Sequence, residues 1–320
     1  MLSIDDVVTC PNFRSADNPD QNTLTVADQP AAEFVRTFPN GLEIGTAEAG
    51  ELMRAHYSHV VGILGSTNAG KTCFLVSLYL IASGGGLPQR YIFAGSETLP
   101  GFEARARKLR AWRGGDLPDQ LADHTSVEAR RPGFLHLALR DTHRANKKYN
   151  LLLADLPGEW SKNLIDRAEA AARLRFLQRA DGVIIVVDGT LLASRTTRHT
   201  EIQRSKLLLE RLSTSVGVST SVPLVLLVSK YDEIGNALPP IIHELAECAT
   251  ARGFHPTIVT CAAFSRAPAI VPNGHGVMEA IECVLFPVTS SDTGDAVSTY
   301  ASADSDRVFI NFSCCRGRDE

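Results

Sequence analysis

No run of apolar residues in this 320-residue chain approaches the roughly 18 to 20 needed to cross a bilayer. The first ten residues, MLSIDDVVTC, place acids where a secretory leader needs basic residues followed by an apolar stretch. The expectation is a cytoplasmic protein with no integral membrane segment. Charge of one sign is also lacking: 32 basic against 36 acidic residues leave a net charge of -4, so no bulk field points to nucleic acid or an anionic membrane. The seven cysteines contain no C-x-x-C pair, which removes a zinc or disulfide framework and leaves most of them as small buried hydrophobes. His56-Tyr-Ser-His59 has histidines three apart but no companion carboxylate or cysteine nearby, so it makes no metal set. No internal repeat is present. Binding chemistry must therefore come from local motifs.

What the chain does have is 44% hydrophobic and 21% charged residues, ordinary globular proportions with length enough for a large core. Residues 1–59 begin polar and turn-rich and read as a partly disordered N-terminal extension. From Val60 the pattern becomes short apolar runs separated by amphipathic stretches, as expected for a mainly parallel sheet covered by helices. Strands are expected at 60–64, 134–139, 150–155, 182–188, 223–228 and 257–260, and helices at 71–82, 104–112, 164–179, 201–212, 241–251 and 277–285. The strands at 134–139 and 150–155 are separated only by a short polar stretch. That is too little for a crossover helix and predicts an antiparallel hairpin. The core domain is set at 60–287 with an insertion near 84–132, and 288–320 reads as a polar tail, with 307–313 as one late strand or a docking segment.

Gly65-Ser-Thr-Asn-Ala-Gly-Lys-Thr72 fills every position of G-x-x-x-x-G-K-[ST], after an apolar strand and before an apolar helix. Glycines 65 and 70 let the backbone curl so that the amides of Ser66, Thr67, Asn68, Ala69, Gly70 and their neighbours up to Cys73 face phosphate oxygens at a helix N-terminus. Lys71 is expected on the terminal phosphates and the Thr72 hydroxyl on Mg²⁺. Two apolar strands end in acids, Asp155 and Asp188. Asp155 continues as Leu156-Pro157-Gly158-Glu159, an arrangement in which the carboxylate holds Mg²⁺ through water and the Gly158 amide meets the γ phosphate. Asp188-Gly-Thr reads as a turn.

Pro223-Leu-Val-Leu-Leu-Val228 ends in Ser229-Lys230-Tyr231-Asp232. A carboxylate at Asp232 can accept from both N1-H and the 2-amino group of guanine, whereas adenine offers no donor there. Lys230 would lay its stem along the purine, and the Ala262 amide, in Cys261-Ala-Ala263, would meet O6. Alone, Ser-Lys-Tyr-Asp is also compatible with a helix cap.

In this order the motifs resemble those of the Ras-like GTPases of the TRAFAC class over about residues 60 to 286, and Asn68-Ala69 resembles the Arf-type loop. The Leu-x-Asp-x-Pro-Gly-Glu element and the long segment before it look most like the bacterial double-GTPase family. The resemblance implies an α/β fold, the P-loop NTPase three-layer sandwich with a mainly parallel sheet and one antiparallel strand. It implies GTP/GDP and Mg²⁺ as ligands, slow hydrolysis, and a switch acting on a protein partner. In that family the members are encoded in pairs in predicted biological-conflict operons, which points to a second GTPase as the partner. Glu159 stands where Ras-like proteins carry the water-orienting glutamine; it either takes the water's proton, turns away, or is a solvent-facing first-turn acid. The second metal hydroxyl is assigned to Thr125, with Ser126 and Thr98 as rivals. The basic stretch Arg105-Ala-Arg-Lys-Leu-Arg-Ala-Trp-Arg113 reads as a solvated face, and Arg195 and Arg198 as surface arginines or a built-in arginine finger. A P-loop ATPase and a nucleotide-binding scaffold without turnover remain as alternatives.

Overall fold

The computed structural model describes residues 41–110, 132–144, 147–235 and 238–287. Thr125, Ser126, the 307–313 segment and the tail lie outside the described residues. Seven strands form one sheet in the order β2-β3-β4-β1-β5-β6-β7. They are β1 (Ser58–Gly65), β2 (Tyr91–Gly95), β3 (Phe134–Asp141), β4 (Lys147–Asp155), β5 (Gly182–Asp188), β6 (Leu224–Ser229) and β7 (Pro256–Thr260).

The strands β4, β1, β5, β6 and β7 pair in parallel, whereas β3 pairs antiparallel with both β2 and β4. One strand therefore runs against the other six. The β3–β4 register, from Phe134↔Ala154 to Asp141↔Lys147, is the hairpin that the short polar link demands. Every residue of β5 and β6 is buried, which explains why these strands read as unbroken apolar runs rather than alternating ones.

Neighbouring residues on each strand feed opposite faces. Leu64, Leu152, Ile185 and Leu226 pack with Leu177, Leu209, Leu245 and Phe254 on one side. Ile63, Leu153, Ile184 and Leu227 pack with Phe74, Leu78, Ile281 and Val284 on the other. The helices are α1 (Thr46–Ala55), α2 (Lys71–Ser83), α3 (Leu99–Arg110), α4 (Gly158–Asp166), α5 (Gly189–Ala193), α6 (Arg198–Arg211), α7 (Ile242–Ala251) and α8 (Val277–Leu285). The result is a three-layer α/β sandwich.

Several elements differ from the sequence expectation. β2 and α1 were not expected. Residues 41–45, assigned to the extension, pair Ile44 with Phe134 through two backbone bonds of 2.9 Å and bury Ile44 in the core. The helix expected at 164–179 is divided: α4 ends at Asp166, Arg167 next to it is extended at φ -141, and a 3-10 segment runs from Ala168 to Arg179. The basic helix starts at Leu99, not Ala104, and its Phe102 and Ala106 are fully buried, with Phe102 stacked on Tyr79 at 5.0 Å. One face of it, at Phe102 and Ala106, packs into the domain, while Ala104 and Arg107 are exposed.

Candidate nucleotide and metal site

The loop between β1 and α2 crosses the carboxyl ends of the parallel strands, where α/β sheets place their ligands. Gly65 holds φ +148, and a Cβ there would lie 2.3 Å from the Val186 carbonyl oxygen on β5. Only glycine lets the loop leave β1 so close to its neighbour. Gly70, at φ +95, caps α2, and Asn68 is also left-handed at φ 65. These turns bend the chain into the nest of inward-facing amides that binds phosphate. The Gly65 amide itself donates to Ser161 Oγ at 3.2 Å, which ties the loop to α4.

Lys71 is buried and folds back over the loop, donating to the carbonyls of Gly65 (3.0 Å) and Ser66 (2.7 Å). Burial lowers its pKa to about 8, opposed by the nearby carboxylates of Asp155, Glu159 and Glu201. Next to it, the Thr72 hydroxyl donates to Asp155 Oδ1 at 3.5 Å. A hydroxyl and a carboxylate from separate elements thus face one point, a hard-oxygen donor set suited to Mg²⁺. Asp155 is 5% exposed. Its other oxygen, Oδ2, accepts from Arg105 Nε at 2.7 Å.

Gly158 opens α4 against the same loop. A Cβ on it would meet Thr67 Cα at 2.6 Å and Thr67 N at 2.7 Å, so the absent side chain is what permits the contact. Glu159, the next residue, is partly exposed.

Two residues that sequence reasoning did not assign lie here. Glu201, in the first turn of α6, is 2% exposed and accepts from the Ser66 hydroxyl at 3.0 Å. Its Oε2 is buried without a hydrogen-bonding partner among the described residues. Burial raises its pKa; the Ser66 hydroxyl and the Asp188 backbone oppose the shift, the latter from outside hydrogen-bonding geometry. Arg105 is the second. Neither carries a motif, because each reaches the loop from an element distant in the chain.

On the base side, Ser229 at the end of β6 packs next to Gly70, so the Ser-Lys-Tyr-Asp segment adjoins the phosphate loop. Lys230 has a left-handed backbone, φ 53, and its Nζ donates to Asp188 Oδ2. Asp188 is thereby more than a turn: it also accepts from the Thr190 amide and hydroxyl at 2.9 and 2.7 Å. The segment Tyr231–Ile234 is a 3-10 turn with no side-chain cap. Asp232 Oδ2 accepts from the Arg266 amide at 2.7 Å, which orients the carboxylate without any capping role.

Some expected roles do not match the geometry. The Ala262 amide donates to the His275 carbonyl at 3.1 Å, forming a bridge with that residue, so it is already committed and does not point at a base. Thr98 is fully buried, and its hydroxyl accepts from the His136 amide at 2.8 Å, which removes it as a metal hydroxyl. Thr125 lies outside the described residues. His59 packs edge-on against Tyr57, and no group of three metal-ligating side chains occurs among the described residues. Among these residues no helix is long and apolar enough to cross a membrane.

No curated protein matches the chain. A comparison with protein families matches Double-GTPase 2 over residues 59–285, which spans the strands and all three motifs just described. The phosphate loop, the Asp155 element and the Ser229–Asp232 segment thus lie together at the carboxyl ends of the parallel strands within that matched region, and the chain belongs to the double-GTPase family of P-loop GTPases.

Proposed function

We propose that this chain binds GTP and GDP with Mg²⁺, hydrolyses GTP slowly, and uses the difference between the two states to control a protein partner, a second GTPase in the reading its family suggests. The observation that carries this is the convergence of Thr72, Asp155 and Gly158 on one loop, with Ser229 packed beside Gly70. In this reading the amides of residues 66–73 hold the phosphates, Lys71 exchanges its carbonyl partners for phosphate oxygens, and the Gly158 amide meets the γ phosphate. The ion, held by Thr72 and Asp155 with Thr125 as the further hydroxyl, would neutralise charge developing between the β and γ phosphates. Asp232 reads the guanine edge and Lys230 lines the ring. Ala262 contributes its place beside the base rather than its amide.

Glu159 decides between turnover and mere binding. A carboxylate next to a γ phosphate is electrostatically costly, so either it accepts the attacking water's proton or hydrolysis waits for a partner to supply the missing group. The second reading, a nucleotide-holding scaffold, draws on this residue alone. Calorimetric titration tests the binding: GTP binding that needs Mg²⁺ and is far tighter than ATP supports it, and tight ATP binding without GTP binding refutes it. Asp232→Asn should shift preference toward xanthine nucleotides, whose 2-carbonyl needs a donor. Single-turnover GTP hydrolysis, with and without a candidate partner, separates switch from scaffold.

A further inference from the structure

Arg105 connects three separate parts of the domain. Its Nε donates to Asp155 Oδ2 at 2.7 Å, a terminal nitrogen donates to the Gly101 carbonyl at 3.0 Å, and the other terminal nitrogen pairs with Glu43 Oε1. The pair is sequestered: the Arg105 side chain is 15% exposed and that of Asp155 1%. The backbone beneath it is fixed, since Phe102, three residues before it, and Ala106, the next residue, are fully buried. The side chain, however, has anchors that do not involve Asp155.

From this arrangement we infer that Arg105 is an internal counter-cation of the metal site, a positioning residue that competes with Mg²⁺ for the Asp155 carboxylate. This rests on the proposed role of Asp155 as a metal-facing group. A guanidinium on Oδ2 neutralises the carboxylate whose charge a divalent ion needs, and the two cations repel each other across a carboxyl group only a few ångströms wide. Metal loading therefore weakens the Arg105–Asp155 contact and leaves the guanidinium on Gly101 and Glu43. Because Glu43 adjoins Ile44, which is bridged to Phe134 at the start of β3, the segment before α1 senses whether the metal is bound. Arg105 thus keeps Asp155 satisfied without metal and sets the Mg²⁺ concentration at which nucleotide binds tightly.

The rival geometry keeps Arg105 on Oδ2 while Mg²⁺ binds through water on the Oδ1 side, so that the arginine pre-orients the carboxylate. The two predict opposite signs. The measurement is the Mg²⁺ dissociation constant of the full chain with GDP present, by calorimetry. Competition requires Arg105→Ala to tighten Mg²⁺ by about tenfold, a coupling of ordinary size. It requires Glu43→Gln, which removes the anchor that holds Arg105 once it leaves Asp155, to weaken it a few-fold when Arg105 is present and to change it little in the Arg105→Ala background. Arg105→Lys, which keeps charge but not the three-pronged fit, should fall between; if the alanine variant does not fold, Arg105→Gln replaces it. Weaker or unchanged Mg²⁺ binding in folded Arg105 variants overturns the competition while leaving the metal site standing. Failure of the wild type to bind Mg²⁺ with nucleotide overturns the site reading itself, and the competition with it.

Discussion

Lys230 Nζ lies 2.5 Å from Oδ2 of Asp188, joining the loop after β6 to the end of β5. The other oxygen of the same carboxylate caps the short helix α5 through the amide and hydroxyl of Thr190. One acid therefore holds both the lysine of the base-reading segment and the turn beside it. Asn at this position would keep the cap, since Asn and Asp cap helices about equally, but would lose the ion pair. Asp188→Asn is expected to weaken GDP binding about tenfold in calorimetry, and Asp188→Ala to lower stability by a further ~1 kcal/mol through loss of the cap. GDP affinity equal to wild type in the asparagine variant would show that Lys230 is positioned by something else.

Gly158→Ala tests the close approach of α4 to the phosphate loop. The new methyl would lie 2.6 Å from Thr67 Cα and 2.7 Å from Thr67 N, and backbone atoms cannot turn aside as a side chain can. Overpacking of this kind costs roughly 1 to 3 kcal/mol. The expected result is a lower melting temperature and single-turnover GTP hydrolysis slowed at least tenfold, with GDP affinity changed only a few-fold. Equal losses for GDP and for turnover would mean that the loop itself had been distorted.

The phosphate loop, the hairpin and the four apolar strands ending at 155, 188, 228 and 260 were legible in sequence because each depends on nearest neighbours in the chain: a glycine spacing, a short polar link, an unbroken apolar run. β2 was not, because Tyr91-Ile-Phe-Ala-Gly95 is only five residues long, ends in glycine and follows a turn-rich stretch. Arg105 lay in a run of basic residues with the composition of a solvated face, and only the burial of Phe102 and Ala106 turns that face so that Arg105 reaches Asp155. Ala262 was placed by analogy of position, and the hydrogen bond from its amide to the His275 carbonyl is invisible without the fold. Long-range hydrogen bonds decide these roles, and a single sequence does not encode them as spacing.

Glu201 offers a test of the buried carboxylate below the phosphate loop. Because burial raises its folded pKa, its contribution to stability is complete below the ordinary carboxylate range and is lost as pH rises through the raised value. Glu201→Gln removes that loss and keeps an acceptor for Ser66. The melting temperature of the variant should match wild type near pH 4 and exceed it at pH 8. Glu201→Ala should be less stable than the glutamine variant at both, since it leaves a cavity and an unpaired Ser66 hydroxyl. A wild-type protein that gains stability relative to Glu201→Gln as pH rises would show that the carboxylate is held charged.

His59 makes the opposite prediction at acid pH. It lies on β1 between Tyr57 and Tyr149, with ring centroids 4.8 and 5.8 Å away. Burial lowers its pKa from 6.5 to about 4; Asp181 opposes this, and Lys147 and Arg179 add to it. His136 shifts in the same direction, also through burial, with its Nδ1 accepting from the Glu97 amide at 3.0 Å. The unfolded chain therefore takes up protons before the folded one as pH falls, so stability is complete above about pH 6.5 and declines toward pH 4. The loss assigned to His59 is about 1 to 2 kcal/mol by pH 5. Denaturant melts of wild type and His59→Phe at pH 7.5 and 5 separate it from the general effect of acid: phenylalanine keeps the aromatic packing but cannot bind a proton, so its loss over that interval should be smaller by that amount. Equal losses in the two proteins would assign the acid sensitivity to His136 or to the carboxylates instead.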